Sequence, residues 1–230
     1  MKTLDNTRTE DSMKSSVKKR IKHSRLYRLP AKLARARSEK RQIIEWERQG
    51  CPAPPPHLVK QRTIKFFATR FGLEVLVETG TYYGDMIQAM KDDFCQIYSI
   101  ELSPELYRNA KKRFEGNKAI TLIQGDSGIE LGKILAVLNQ PALFWLDGHY
   151  SAGVTAKGTK DTPIYEELTH ILDAPERRHV ILIDDARCFE SDPAYPSIEE
   201  LKNFIRSKNA DVEIAIADDC IRITPGLRPA

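Results

Sequence analysis

From residue 58 onward, apolar runs of about six residues alternate with amphipathic stretches of eleven to fourteen. The runs 74–79 (EVLVET), 96–101 (QIYSIE), 119–124 (AITLIQ), 142–147 (ALFWLD) and 179–184 (HVILID) are too short for buried helices and predict strands. Between and around them, 58–71, 84–94, 103–114, 127–139, about 161–173 and 196–206 place apolar residues at helical spacing. Ser103 with Pro104, and Pro196 with Ser197, stand where two of these helices begin, as N-terminal signals. Strands without a polar face, separated by helices, predict a parallel sheet covered on both sides. The pattern breaks at 212–224 (VEIAIADDCIRIT), where two β-runs meet at Asp218-Asp219 with no room for a helix between them. That segment predicts a hairpin whose last strand runs antiparallel to its neighbour.

The fold class that follows is α/β: a Rossmann-like doubly wound sheet, mostly parallel, with an antiparallel C-terminal hairpin strand and helices on both faces. The chain of 230 residues has room for one such domain, at 58–230, and an appendage at 1–57. In the appendage, 1–22 lacks periodic apolar positions and ends in a basic cluster, which predicts disorder. Residues 24–49 have helical spacing broken by Pro30, which predicts two helices or a kink, with Gly50 as C-cap. The segment 51–57 (CPAPPPH) reads as a stiff extended linker.

Charge sharpens this division. Residues 1–48 hold fifteen Lys/Arg against six Asp/Glu, whereas the remainder holds 21 against 26. A basic arm on an acidic domain is open to nucleic acid (through residues 14–48), to anionic lipid or to a second copy in a homo-oligomer. The plainer reading is a solvated helix packed on the domain by its apolar stripe. No apolar run approaches the roughly 20 residues that span a bilayer, and the N-terminal segment has no apolar stretch of a signal peptide. Cys51, Cys95, Cys188 and Cys220 are widely spaced without a CxxC pair, so they read as reduced thiols of a cytoplasmic protein.

Candidate chemistry gathers at strand ends. The first strand runs into VETGTYYGD at 77–85, where Glu78, Gly80, Thr81, Tyr82 and Gly84 form a turn that opens a helix. Glycines there admit a ligand close to the backbone, and the helix start offers free N–H groups. The second strand ends at Glu101, 21 residues beyond Gly80, the place for an acid that binds ribose hydroxyls. The third ends in Gly125, Asp126 and Ser127, polar groups that can meet an adenine ring. Tyr82 and Tyr83 fill a turn that a dinucleotide pyrophosphate needs open, but a methionine moiety tolerates them.

Across roughly 58–225 the sequence resembles class I S-adenosylmethionine-dependent methyltransferases. On that resemblance Glu78, Gly80 and Gly84 form the first cofactor motif, Glu101 binds ribose, and Asp126 with Ser127 flanks adenine. The fourth strand ends in WLDGHY and the fifth in ILIDDA, which makes Asp147, Asp184 and Asp185 neighbours in such a sheet. Three carboxylates together call for a hard cation or a proton. The layout resembles metal-dependent O-methyltransferases of the catechol and macrocin types. That resemblance implies Mg²⁺ on Asp147, Asp184 and Asp185, His149 as the base, and a small-molecule or saccharide hydroxyl as acceptor. Asp147 can also touch the cofactor or acceptor without metal. Residues 151–163, rich in Gly, Thr and Lys, read as a lid over the cleft or as a plain surface loop.

Overall fold

The computed structural model describes residues 25–148, 162–176 and 178–226, with the side chains of 25–36 left aside. Two compact units divide between Cys51 and Pro52. In the first, α1 (Arg25–Arg48) is one helix. The two helices expected from Pro30 are one continuous helix, which runs through that residue. Gly50 (φ 81°) ends the helix in the left-handed region, and the Cys51 N–H closes back on the Trp46 carbonyl at 3.0 Å.

The second unit begins with α2 (His57–Phe71) and then follows β1 (Val75–Thr79), α3 (Asp85–Met90), β2 (Gln96–Glu101), α4 (Pro104–Arg113) and β3 (Ile120–Gln124). After these come α5 (Ser127–Val137), β4 (Leu143–Leu146), α6 (Ile164–Asp173), β5 (Val180–Ile183), the single turn α7 (Cys188–Ser191) and α8 (Ile198–Lys208). The strands β6 (Val212–Ala217) and β7 (Cys220–Pro225) close the unit. All five sequence-predicted parallel strands form within a residue of their expected bounds. The expected helix at 84–94 is cut to Asp85–Met90, since the next residues, Lys91-Asp92-Asp93, bring two acids to its negative C-terminal end. Ser103 and Ser197 cap α4 and α8, the latter in a reciprocal capping box with Glu200. The turn α7 has no periodic signature and was not expected.

One seven-stranded sheet has the order β3-β2-β1-β4-β5-β7-β6. Strands β1 to β5 pair in parallel; β7 runs antiparallel to β5, with Ile181 opposite Ile223, and to β6. Asp218 (φ 52°) and Asp219 (φ 59°) make the two-residue turn between β6 and β7. Positive φ at both centres gives the twist that joins adjacent strands tightly. Alternate residues of each strand feed opposite cores. Val75, Val77, Phe144, Leu146, Ile181 and Ile183 pack with α5, α6 and α8, while Leu76, Leu143, Trp145, Val180 and Leu182 pack with α2 and α3. The chain leaves β1 toward β2 on one side and returns to β4 on the other. The crevice at the strand C-termini between β1 and β4 is therefore the place where such sheets take ligands.

Candidate functional site

Glu78 is the penultimate residue of β1, 2% exposed, between two buried layers. Ser99 Oγ on β2 donates to its Oε2 at 2.5 Å and shares a second hydrogen bond of 2.6 Å with Thr81 Oγ1. Burial pushes the Glu78 carboxyl up to about 8; the Ser99 bond opposes this and the charge of Glu101 adds to it. A carboxyl held there without a counter-ion is poised to ionise against an incoming cation. Glu101, buried at the end of β2, accepts from the backbone N–H groups of Tyr82 and Ser103, both at 2.8 Å. Burial raises its pKa, and those two donors pull it back. Each of its oxygens keeps lone-pair capacity for a hydroxyl.

The turn joining these carboxyls is held tightly. The Gly80 N–H reaches the Ile100 carbonyl at 3.0 Å, and the Asp147 N–H reaches the Thr79 carbonyl at 3.1 Å. Gly80 has φ 84°, and a β-carbon on it would run into the Asp147 carbonyl. Gly84 has φ 77°, and its missing β-carbon makes room for the Phe114 ring. Arg113 ties the same turn down through Asp85, at 2.7 Å, and the Tyr83 carbonyl, at 2.5 Å. Tyr82 and Tyr83 stand exposed side by side, their ring centroids 4.1 Å apart.

At β3, Asp126 caps α5 by accepting from the Gly128 N–H at 2.9 Å, and Ser127 is buried beside it. Glu167 on α6, unforeseen from sequence, lies buried near them. Its Oε1 and the Thr79 hydroxyl have no hydrogen-bond partner. Burial pushes its carboxyl to about 7.

The expected carboxylates at the ends of β4 and β5 do converge, but on an ammonium. Lys60, on α2, pairs through Nζ with Asp184 Oδ2 and lies 3.6 Å from Asp185 Oδ1. Burial works to lower the Lys60 pKa, yet Asp184, Asp147 and Asp185 together raise it, so the side chain keeps its proton. Burial, then the charge of Asp184, drives the Asp147 carboxyl well above the ordinary range, with Lys60 opposing. Burial and Asp185 hold Asp184 at about 6 against the pull of Lys60. Asp185 adopts a left-handed backbone (φ 55°) and also accepts from Arg187 at 2.9 Å. Arg187 in turn pairs with Asp219 of the β6–β7 turn.

The Mg²⁺ ligand set expected from Asp147, Asp184 and Asp185 therefore does not fit this arrangement as it stands. Oδ2 of Asp184 is taken by Lys60, and Oδ1 of Asp185 faces both Lys60 and Arg187. Among the described residues no three His, Cys, Asp or Glu side chains are grouped to hold a metal. His149 and nearly all of the expected lid, 151–161, lie outside the described residues. No helix among the described residues is long and apolar enough to cross a membrane.

This sheet order, with its antiparallel C-terminal hairpin, is a Rossmann-like methyltransferase fold. Solved structures share it. The O-methyltransferase from Bacillus cereus in complex with SAH superposes with a TM-score of 0.56 at 12% identity, over 82% of this chain and 90% of that one. The O-methyltransferase TomG from Streptomyces achromogenes, involved in tomaymycin synthesis and bound to SAM, gives 0.53 at 13% identity, over 82% and 88%. At such identities the likeness is one of fold. No protein-family model and no curated protein matches the sequence.

Proposed function

We propose that this chain is an S-adenosylmethionine-dependent methyltransferase whose acceptor is a hydroxyl of a sugar or other small molecule. The observation that carries the reading is the pair of buried acids, Glu78 and Glu101, at adjoining strand ends of the sheet's switch point. A bound S-adenosylmethionine supplies an electrophilic methyl group; the acceptor oxygen forms the new C–O bond as the C–S pair returns to sulfur. Glu78 answers the positive methionine end, and Glu101 accepts from the ribose hydroxyls. Thr81, Tyr82, Asp126 and Ser127 line the same edge, with Gly80 and Gly84 shaping the turn. Asp147, at the end of β4, and His149, by its place in the sequence, are the groups to receive the acceptor proton. The oxygen acceptor is supported by the two O-methyltransferases that share the fold.

Calorimetric titration with S-adenosylhomocysteine tests this, with an expected Kd on the order of micromolar, about −8 kcal/mol. Absence of both binding heat and a thermal shift at about 1 mM ligand overturns it. A second acceptor class, nucleic acid, is favoured by the basic arm, through residues 14–48. It requires RNA or DNA binding that weakens steeply with salt. Magnesium assistance is left to direct test, because the carboxylates it would use are paired with Lys60 and Arg187.

A further inference from the structure

We propose that the Lys60 ammonium is the built-in cation of the carboxylate cluster, standing at the acceptor end of the cleft where a divalent metal would otherwise be needed. The inference rests on reading that cluster as the acceptor end of a methyltransferase cleft; its test does not.

Three observations carry it. First, Lys60 occupies the buried stripe of α2 together with Thr63, Ile64 and Phe67, a stripe from which a solvated lysine would turn away. Its Nζ instead reaches inward to Asp184, which is fully buried, and to Asp185 at 3.6 Å. Second, the partners are braced from outside the pair. Asp185 holds a left-handed backbone and is gripped by Arg187, and the Arg187 N–H is fixed at 2.9 Å by Asp219 Oδ1. That conformation is uncommon outside glycine and asparagine or aspartate, and here the contacts of Arg187 and Asp219 fix it. Third, the oxygen left over, Asp184 Oδ1, is buried without a partner. One free oxygen is a poor start for Mg²⁺, which asks for near-octahedral ligands at about 2.0–2.1 Å. It suits a hydroxyl donor, so the ammonium and this oxygen together offer one donor and one acceptor to a neutral hydroxyl.

The test uses the full chain stripped of metal and Mn²⁺ as the probe, with free Mn²⁺ read by electron paramagnetic resonance. The wild-type protein is expected to leave the Mn²⁺ signal free. Lys60→Ala, which exposes both Asp184 oxygens, is expected to bind Mn²⁺ about tenfold more tightly than wild type. Lys60→Arg, which keeps the charge, is expected to behave as wild type. Adding Asp184→Asn to Lys60→Ala should abolish the gain. Wild-type binding of Mn²⁺ that is lost in Asp184→Asn overturns the proposal, and so does a folded Lys60→Ala that gains no Mn²⁺. The wild-type and Lys60→Arg measurements decide the matter even where Lys60→Ala does not fold. Failure to bind S-adenosylhomocysteine would strike the methyltransferase reading and leave these outcomes untouched.

Discussion

Replacing Glu78 by Gln removes a titration that the fold imposes. In the folded chain this carboxyl stands at about 8, whereas its ordinary value is 4.5. The folded state thus holds the proton more tightly, and between those pH values it binds more protons than the unfolded chain. Stability from this group is greatest below 4.5, falls as pH rises toward 8, and is level beyond. At about 1.4 kcal/mol per pH unit the ceiling is about 5 kcal/mol. Local rearrangement and an effective interior dielectric near 20 bring the expected effect to about 2 kcal/mol. Glu78→Gln stays neutral and its amide oxygen can still accept from Ser99, so variant and wild type should match below about pH 4. Near pH 8.5 the variant should be more stable by that amount. Urea denaturation at several pH values reads the difference. A gap that is constant across the range refutes the assignment of a raised pKa. Calorimetry in buffers of different ionisation enthalpy adds a functional readout: S-adenosylmethionine, bringing positive charge to Glu78, should release a proton near pH 7 in wild type and none in Glu78→Gln.

Gly80→Ala should abolish measurable S-adenosylhomocysteine binding and cost at least about 2 kcal/mol, from the left-handed backbone and the clash with the Asp147 carbonyl; ligand titration and denaturation check both. Glu101→Ala should weaken cofactor binding by about tenfold or more, since two backbone donors lose their acceptor along with the ribose contact. Equal titration curves for wild type and Glu101→Ala would remove the ribose role. Ser197→Ala breaks the α8 capping box and should lower stability by about 1 kcal/mol, a melting shift of about 2–4 °C, with cofactor affinity unchanged.

The fold was legible because its signals are local and repeat. The central parallel strands β1, β4 and β5 are runs buried on both faces, and Asp218-Asp219 between two β-runs leaves only a hairpin. What misled was subtler. Pro30 looks like a break, yet the helix runs through it, and Asp92 with Asp93 shortened a helix whose apolar spacing continued. The site's first half was legible as well, since acids at the ends of β1 and β2 follow from where strands stop.

Lys60 and Glu167 were missed for one physical reason, and it defines what to look for. Apolar periodicity marks a helix and leaves its charged residues on the wet face by default. Yet Lys60 falls on the stripe of Thr63, Ile64 and Phe67, and Glu167 on that of Ile164, Leu168 and Ile171. A charge at a stripe position must leave the stripe, find a buried counter-charge, or change protonation. Lys60 takes the second course and Glu167 the third. Neither partner can be named from the helix alone, because Asp184 is 124 residues from Lys60 and the stripe says only that some partner exists. The carboxylates supplied the other half of that inference. Three acids at neighbouring strand ends demand a cation, and the chain already carried one lysine out of register with the water-facing side of the preceding helix.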